Sequence, residues 1–280
     1  MLMGYLKVPG RCIDHVGVVR PAEKYMGRSA RPGGVAAGKG VPGNDLAPLR
    51  SAPRAVPAET ADAAGLLALI EGVGFPCLGA KAALAQGNLA IETAGAITAS
   101  HDDARIHDRL VCWSRTPRGD TQTLRSLAVV HAGPHDLDEQ AFERALWQRL
   151  SALSAIDRAR GHAPDPAYAT DPRDPHFALS FGGRAYFAVG LHPHASRRAR
   201  RAPSPTIVFN LHDQFTGLRK ADKYERMREV ILARDEAFDG TPNPMLARHG
   251  EISEARQYSG RAVEGDWVCP FAPPPAARGA

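Results

Sequence analysis

The chain has 280 residues, 44% of them hydrophobic and 23% charged, and a formal net charge of +5 at pH 7. This length allows a sizeable buried core, and no apolar run approaches the roughly 18–20 residues of a membrane-spanning helix, so no membrane partner is predicted. Residues 1–56 hold nine Lys and Arg against three Asp and Glu, so a basic nucleic-acid-binding surface on the remainder is not predicted either.

A change of composition near residue 58 predicts three regions. Residues 1–57 are rich in Gly, Pro and Arg without a helical or strand period, so we expect a flexible leader there. Residues 58–272 carry the patterns of one folded domain, and residues 273–280 form a tail. The leader lacks the apolar stretch of a secretory signal, and the cysteines form no CxxC pair, which argues against a zinc site. These features predict a cytoplasmic location.

The first half of the domain predicts helices and strands in turn. Helices are expected in ETADAAGLLALIEGVG and in FPCLGAKAALAQGN, the second ending at Gly87. Strands are expected in LAIETAGAI, RLVCWSRT and LRSLAVVHAG. The clearest helix is DLDEQAFERALWQRLSALSAIDRAR, in which Phe142, Leu146 and Leu150 lie on one face.

The second half begins with a predicted hairpin. The segment FALSFGGRAYFAVGL alternates and turns at Gly182–Gly183. A strand in PTIVFN and a helix in KYERMREVILARDEAF follow. Strands and helices do not alternate regularly, so the predicted fold class is α+β: one domain with a mixed or antiparallel sheet flanked by helices.

Two histidines follow predicted strands. His192 comes directly after AYFAVGL, and Pro193 blocks continuation of that strand. A side chain at a strand end suits a metal or heme axial ligand, although a hydrogen-bonded loop histidine is the more common role. His212 follows PTIVFN in the matching way, so the two strand ends are expected to bring two imidazoles to one side of the sheet.

An arginine cluster lies between these two strands. It consists of Arg197, Arg198, Arg200 and Arg201. The guanidinium fork suits carboxylates or phosphates, so the cluster is either an anion site or a solvated basic loop. Cys77 precedes a predicted helix, where a thiolate is stabilised. It is therefore a nucleophile, a heme-thiolate ligand or a buried small residue.

The polar stretch SEARQYSGR near the end of the domain predicts a binding wall. Glu251 and Glu254 are candidates to receive a cationic group, and a surface salt-bridge cluster is the alternative. The segment carries none of the common nucleotide, serine-hydrolase or zinc-protease motifs, and neither does the rest of the chain.

Several blocks together resemble the YqcI/YcgG family. Spanning about residues 60 to 271, they are GFPCLGAKAAL, FALSFGGRAYFAVGLHPHASRRARR, PTIVFNLHDQF, NPMLARHGE, SEARQYSGR and DWVCPF. Some family members are heme-dependent N-oxygenases of guanidine-bearing amino acids. The sequence is most similar to that branch, and within it to enzymes that form N-omega-hydroxy-L-arginine during D-cycloserine biosynthesis.

The resemblance implies a heme enzyme with a particular ligand set. Heme b would be the cofactor, with O2 or peroxide as oxidant and an electron-donor protein as a partner. His192 is the expected axial ligand of the iron, with Cys77 and His212 as alternatives. The arginines 197–201 would neutralise the heme propionates or hold the substrate carboxylate, in a pocket at the strand ends.

The resemblance also implies roles for the terminal polar stretch. Glu254 or Glu251 would bind the guanidinium of L-arginine or a derivative, and Tyr258 or Arg256 would line the distal side of the heme. A turn-rich polar terminus often docks on a neighbouring copy, so a homodimer stays open. Two other functions stay open as well: a heme carrier or sensor without turnover, and a non-heme protein that binds an anionic metabolite or nucleic acid.

Overall fold

Five strands form one mixed sheet in the part of the chain that the computed structural model describes, residues 58–116, 124–248 and 250–271. The predicted leader and tail lie outside these residues. The strands are β1 (Leu89–Ala94), β2 (Ser126–His131), β3 (Leu179–Phe181), β4 (Arg184–Leu191) and β5 (Thr206–Leu211). Their order across the sheet is β1-β2-β5-β4-β3.

The described helices flank this sheet, which confirms the predicted α+β class. They are α1 (Ala58–Glu71), α2 (Leu78–Ala85), α3 (Asp103–Arg115), α4 (Glu139–Ala159), α5 (His212–Lys220), α6 (Tyr224–Asp239) and α7 (Ala255–Tyr258), with a 3-10 turn at Arg198–Arg200. None of them has the length and apolar character that crossing a membrane requires.

One strand pairing follows from local turn chemistry. The β3–β4 hairpin turns at Gly182 and Gly183, whose φ angles of 61° and 76° are accessible to glycine at little cost, so the predicted hairpin is confirmed. Strand β1 pairs with β2 in parallel, and the other pairings are antiparallel.

The prediction of a strand in RLVCWSRT is wrong, because this segment is the second half of α3. The helix begins upstream at Asp103, and its buried residues Ile106, Leu110 and Trp113 repeat at helical spacing. The run of Leu, Val, Cys and Trp is strand-like only when it is considered without the polar first half of the helix. Helices α5 and α7 were also missed: α5 follows β5 without a break, and α7 has four residues.

The sheet separates two apolar clusters. The larger one joins the sheet to α3, α4 and α7, and the smaller one joins it to α1 and α2. On β4, Tyr186 and Ala188 belong to the larger cluster, whereas Val189 and Leu191 belong to the smaller one. This alternation follows from the two-residue period of a strand.

Gly190 allows α4 and α7 to approach β4 closely. A Cβ atom at this position would lie 2.7 Å from Phe142 Cε1 and 2.9 Å from the Tyr258 carbonyl oxygen. We expect Gly190→Ala to lower the free energy of unfolding by about 1–3 kcal/mol because the core has no room for the methyl group. Urea denaturation measures this. Gly265→Ala is the control, since nothing lies within 4 Å of its Cβ; equal stability of the two variants would contradict the close approach.

Candidate functional site

A cavity of about 290 Å³ lies on the α1–α2 face of the sheet. Its walls come from the sheet, from the helices α1 and α2, and from α6. The apolar part of the lining includes Leu66, Ile70, Val189, Val208, Ile231 and Leu232. An apolar cavity with a few polar groups is the usual form of a small-molecule site.

Cys77, the residue before α2, is part of the lining of this cavity. Its Sγ accepts a hydrogen bond from the Ala80 backbone N–H at 3.4 Å, so the thiol caps the helix. The side chain is half-buried and forms no disulfide. The sulfur therefore lies at the N-terminus of α2, and Cys77 shares the cavity lining with a cation.

Arg200 supplies that cation and also lines the cavity. Its guanidinium donates to the carbonyl oxygens of Gly190 at 2.9 Å and Gln257 at 3.2 Å. Burial lowers the pKa of Arg200 to about 10, against the opposing effect of Cys77 and Asp235, so the side chain stays charged at neutral pH.

The other arginines of the predicted cluster point elsewhere. Arg197 forms ion pairs with Asp235 and, at 3.2 Å, with Asp239. Arg198 donates to the Phe238 carbonyl oxygen at 2.7 Å and stacks on its ring. Arg201 donates to the backbone of its own loop, at Ala195 and Ser196. The structure therefore does not bring the four side chains together, and Arg200 is the member of the cluster that lines the cavity.

Glu254 also lines the cavity, and His212 lies behind it. Its Oε2 is 3.1 Å from His212 Nε2, and only 11% of the Glu254 side chain is exposed. Burial and, next in size, the Glu254 carboxylate raise the pKa of Tyr224, another lining residue. Tyr224 therefore keeps its hydroxyl proton and can donate a hydrogen bond into the cavity.

His192 lies on the other face of the sheet. Its ring stacks on Phe142 of α4 at 4.3 Å, and the residue has the strand parity of Ala188. Burial lowers its pKa to about 4, so the imidazole is neutral at physiological pH. His192 and His212 are both absent from the cavity lining. The two predicted imidazoles therefore do not meet on one side of the sheet.

The remaining predicted residues are not in the lining either. Tyr258 is fully buried and stacks on Trp147 at 5.6 Å, and burial raises its pKa well above the ordinary value. Arg256 donates to the carbonyl oxygens of Val263 and Glu264. Glu251 is exposed and accepts from the Arg248 backbone N–H at 3.1 Å.

Comparison with protein families gives a match over residues 66–272, which is most of the chain, to the YqcI/YcgG family. The chain belongs to this family. A search of the curated proteins and a search of the solved structures found no match to this chain.

Sequence reasoning missed two basic residues in the cavity lining of this YqcI/YcgG domain. Arg219 on α5 and Arg228 on α6 both line the cavity. Their hydrogen bonds go to Thr216 Oγ1 at 3.1 Å and to the Leu246 carbonyl oxygen at 2.9 Å. The signal was available for α6, because its lining residues Tyr224, Met227, Arg228, Ile231, Leu232 and Asp235 repeat at helical spacing.

A second polar cluster lies on the opposite face of the YqcI/YcgG domain. Asp157 Oδ1 is 2.7 Å from His107 Nε2 and 2.7 Å from His162 Nδ1, and it accepts from the Gly182 N–H at 2.7 Å. The three side chains have the separation of metal ligands. However, the other nitrogen of His107 faces the Arg160 guanidinium, where a metal-bound imidazole would need to donate its own N–H. This donor set fits a hydrogen-bond network rather than a metal site.

Proposed function

We propose that this protein is a heme-dependent N-oxygenase that hydroxylates a guanidino nitrogen of L-arginine or an arginine derivative, with Cys77 as the iron ligand. The observation that carries the proposal is the shared position of Cys77, Arg200 and Glu254 on one apolar cavity. Family membership supports it, since heme-dependent N-oxygenases are found among the members that the sequence resembles. Of the three candidate ligands, only Cys77 is among the residues that line the cavity.

The donor set around the cavity fits a heme chemically. The Cys77 sulfur receives the Ala80 N–H, an arrangement that stabilises a sulfur ligand. Arg200, Arg219 and Arg228 are cations on the same cavity and suit propionate carboxylates. The apolar walls from α1, α6 and the sheet suit the macrocycle.

The bound heme would supply activated oxygen, which thiolate ligation favours. The protein's own residues would bind and orient the substrate. Glu254 would accept the guanidinium in a charge-assisted pair, Tyr224 would donate a hydrogen bond, and Ile231 and Val189 would exclude water. With O2, one oxygen atom enters an N–H bond and the other leaves as water, using two protons and two electrons from a donor protein. With hydrogen peroxide, no external electrons are needed.

An absorption spectrum of the full chain tests the proposal. The protein is supplemented with heme, recorded oxidised, then reduced under carbon monoxide, then titrated with L-arginine. We expect a heme band of the thiolate type that shifts with L-arginine, together with formation of N-omega-hydroxy-L-arginine when an oxidant is supplied.

The other results separate the alternative functions. No heme band after supplementation would overturn the proposal and favour a protein that binds an anionic metabolite. A heme band that does not shift when L-arginine is added, together with no hydroxylated product, would favour a heme carrier or sensor.

A further inference from the structure

We infer that Arg219 and Arg228 form a carboxylate-binding subsite at the α5–α6 corner of the cavity. The carboxylate belongs either to the α-carbon of the amino-acid substrate or to a heme propionate, and for these two sources the inference rests on the proposed function. It deepens that function because it separates the two arginines from Arg200, the third cation of the lining.

The two helices bring both arginines to one corner of the cavity. Arg219 lies in the last turn of α5, Tyr224 is the first residue of α6, and Arg228 follows Tyr224 by one helical turn. All three residues line the cavity. The guanidinium carbon of Arg219 is 5.3 Å from the centre of the Tyr224 ring, a separation at which a cation is attracted to the face of a ring. Tyr224 therefore contacts one arginine and shares a helix face with the other.

The electrostatics of Tyr224 also places both guanidinium groups near its hydroxyl. Burial is the largest cause of the raised Tyr224 pKa and the Glu254 carboxylate is the next, whereas Arg219 and Arg228 both act to lower it. Because such effects weaken with distance, both cations lie close to the phenol. The phenol keeps its proton, so it can donate a hydrogen bond to a carboxylate that the two arginines hold.

The protein neutralises neither arginine within residues 58–116, 124–248 and 250–271. Arg219 donates from Nη2 to Thr216 Oγ1 at 3.1 Å, and Arg228 donates from Nη2 to the Leu246 carbonyl oxygen at 2.9 Å. Both acceptors are uncharged, and no carboxylate in these ranges forms an ion pair with either side chain. Each guanidinium therefore has a single hydrogen-bonded anchor and keeps further N–H donors for a ligand.

The neighbouring arginines differ, because the protein itself supplies their partners. Arg197 pairs with the carboxylates of Asp235 and Asp239. Arg200 donates from both of its terminal nitrogens to backbone carbonyl oxygens. A guanidinium on an apolar cavity loses hydration without compensation unless an anion pairs with it, and a carboxylate supplies short, charge-assisted hydrogen bonds. The α5–α6 corner should therefore select a ligand that carries a carboxylate.

Calorimetry on the full chain, purified without added heme, tests the subsite by itself. The probes are octanoate and octanamide, which have the same apolar chain but differ in charge. We expect wild type to bind octanoate roughly tenfold more tightly than octanamide, and the Arg219→Gln/Arg228→Gln double variant to lose this preference. Arg226→Gln is the matched control and should keep the preference, because Arg226 is exposed on α6 and is absent from the cavity lining.

Two results would overturn the inference. The first is a wild type that binds neither probe or binds both equally, and the second is a preference for octanoate that survives in the double variant. Thermal melting checks that each variant is folded. If the double variant does not fold, the two single variants replace it, and each is expected to lose part of the preference; an unchanged preference in both would likewise overturn the inference.

Two measurements on the heme-supplemented chain identify the source of the carboxylate. Agmatine has the guanidinium of L-arginine but lacks its carboxylate. If the subsite holds the substrate, the double variant should bind L-arginine roughly tenfold to a hundredfold more weakly, with little change for agmatine. If it holds a propionate, the dissociation constant of heme should rise by a similar factor while the ratio for the two substrates stays the same. Unchanged binding of both heme and L-arginine would overturn the inference.

These experiments separate the subsite from the proposed function. A wild type without a heme band after supplementation would contradict the heme enzyme, and a preference for octanoate that depends on Arg219 and Arg228 would still support the subsite. A heme band that shifts with L-arginine, together with equal binding of octanoate and octanamide, would remove the subsite and leave the proposed function standing.

Discussion

Replacing Cys77 with serine should remove the thiolate-type heme spectrum and reduce N-hydroxylation of L-arginine to the level of the heme-free protein. The sulfur lies on the cavity at the start of α2 and accepts the Ala80 N–H. A serine hydroxyl can still cap the helix, so the fold should persist while the proposed iron ligand is lost. The measurement is the spectrum of the reduced, carbon monoxide-bound protein, followed by product analysis.

Cys269→Ser is the matched control for this variant. Cys269 packs against the larger cluster on the other face of the sheet, and burial raises the pKa of its thiol to about 12. We expect its spectrum and activity to equal those of the wild type. A thiolate-type band that persists in Cys77→Ser would exclude Cys77 as the ligand. A wild-type band of the imidazole type would return the question to His192 and His212.

Replacing Asp157 with alanine should lower the free energy of unfolding by about 3–5 kcal/mol, the usual cost of removing one partner from a buried ionic network. Asp157 joins α4 to α3 through His107, to the following loop through His162, and to the β3–β4 turn through Gly182. Its loss leaves the buried His107 ring, the half-buried His162 ring and the half-buried Gly182 N–H without their acceptor. Urea denaturation at neutral pH measures the change.

The same carboxylate makes stability depend on pH in acid. Burial alone would raise the pKa of Asp157, but hydrogen bonds from His107, Gly182 and His162 outweigh it and lower the pKa below the ordinary 3.8. The stabilisation is therefore complete above the unfolded-state pKa and disappears as the pH falls through the folded-state value. The difference between wild type and Asp157→Ala should shrink in that range.

The exposed carboxylate of Asp171 is the control for this experiment. It pairs with Arg173, its near neighbour in the chain, at the surface, so Asp171→Ala should leave the denaturation midpoint almost unchanged at neutral pH. A loss in Asp157→Ala no larger than in Asp171→Ala would contradict the role of Asp157 as a junction between three segments.

The sequence predicted correctly those helices and turns that are determined by residues close together in the chain. The apolar face of α4 and the turn at Gly182–Gly183 each depend on residues close together in the chain. Helix α3 was mispredicted because its apolar second half was considered without the polar first half. The mixed order of the sheet, with β5 between β2 and β4, depends on long-range packing that no local pattern encodes.

Local sequence patterns predict even less of the candidate site than of the fold. The sequence named Cys77, Arg200 and Glu254 among its candidates, and the structure places these three on one cavity. Nothing in the sequence separated them from candidates of the same chemical type. Strand alternation contained one unused clue: Leu191 faces the cavity, so the next residue, His192, faces away. Whether an arginine of residues 197–201 meets Asp235 or the cavity depends on where α6 packs, which the sequence does not reveal.

The separation of the two apolar clusters by the sheet has a consequence for how such a domain can evolve. Most of the large buried side chains, including Trp147, Phe142 and Phe209, lie on the face away from the cavity. Most of the tightly packed core therefore lies on one face of the sheet, and the cavity lies on the other. Mutations in the cavity wall should therefore lower the free energy of unfolding less than mutations in the larger cluster. Descendants of one ancestral domain can thus acquire different substrates while inheriting an almost unchanged scaffold.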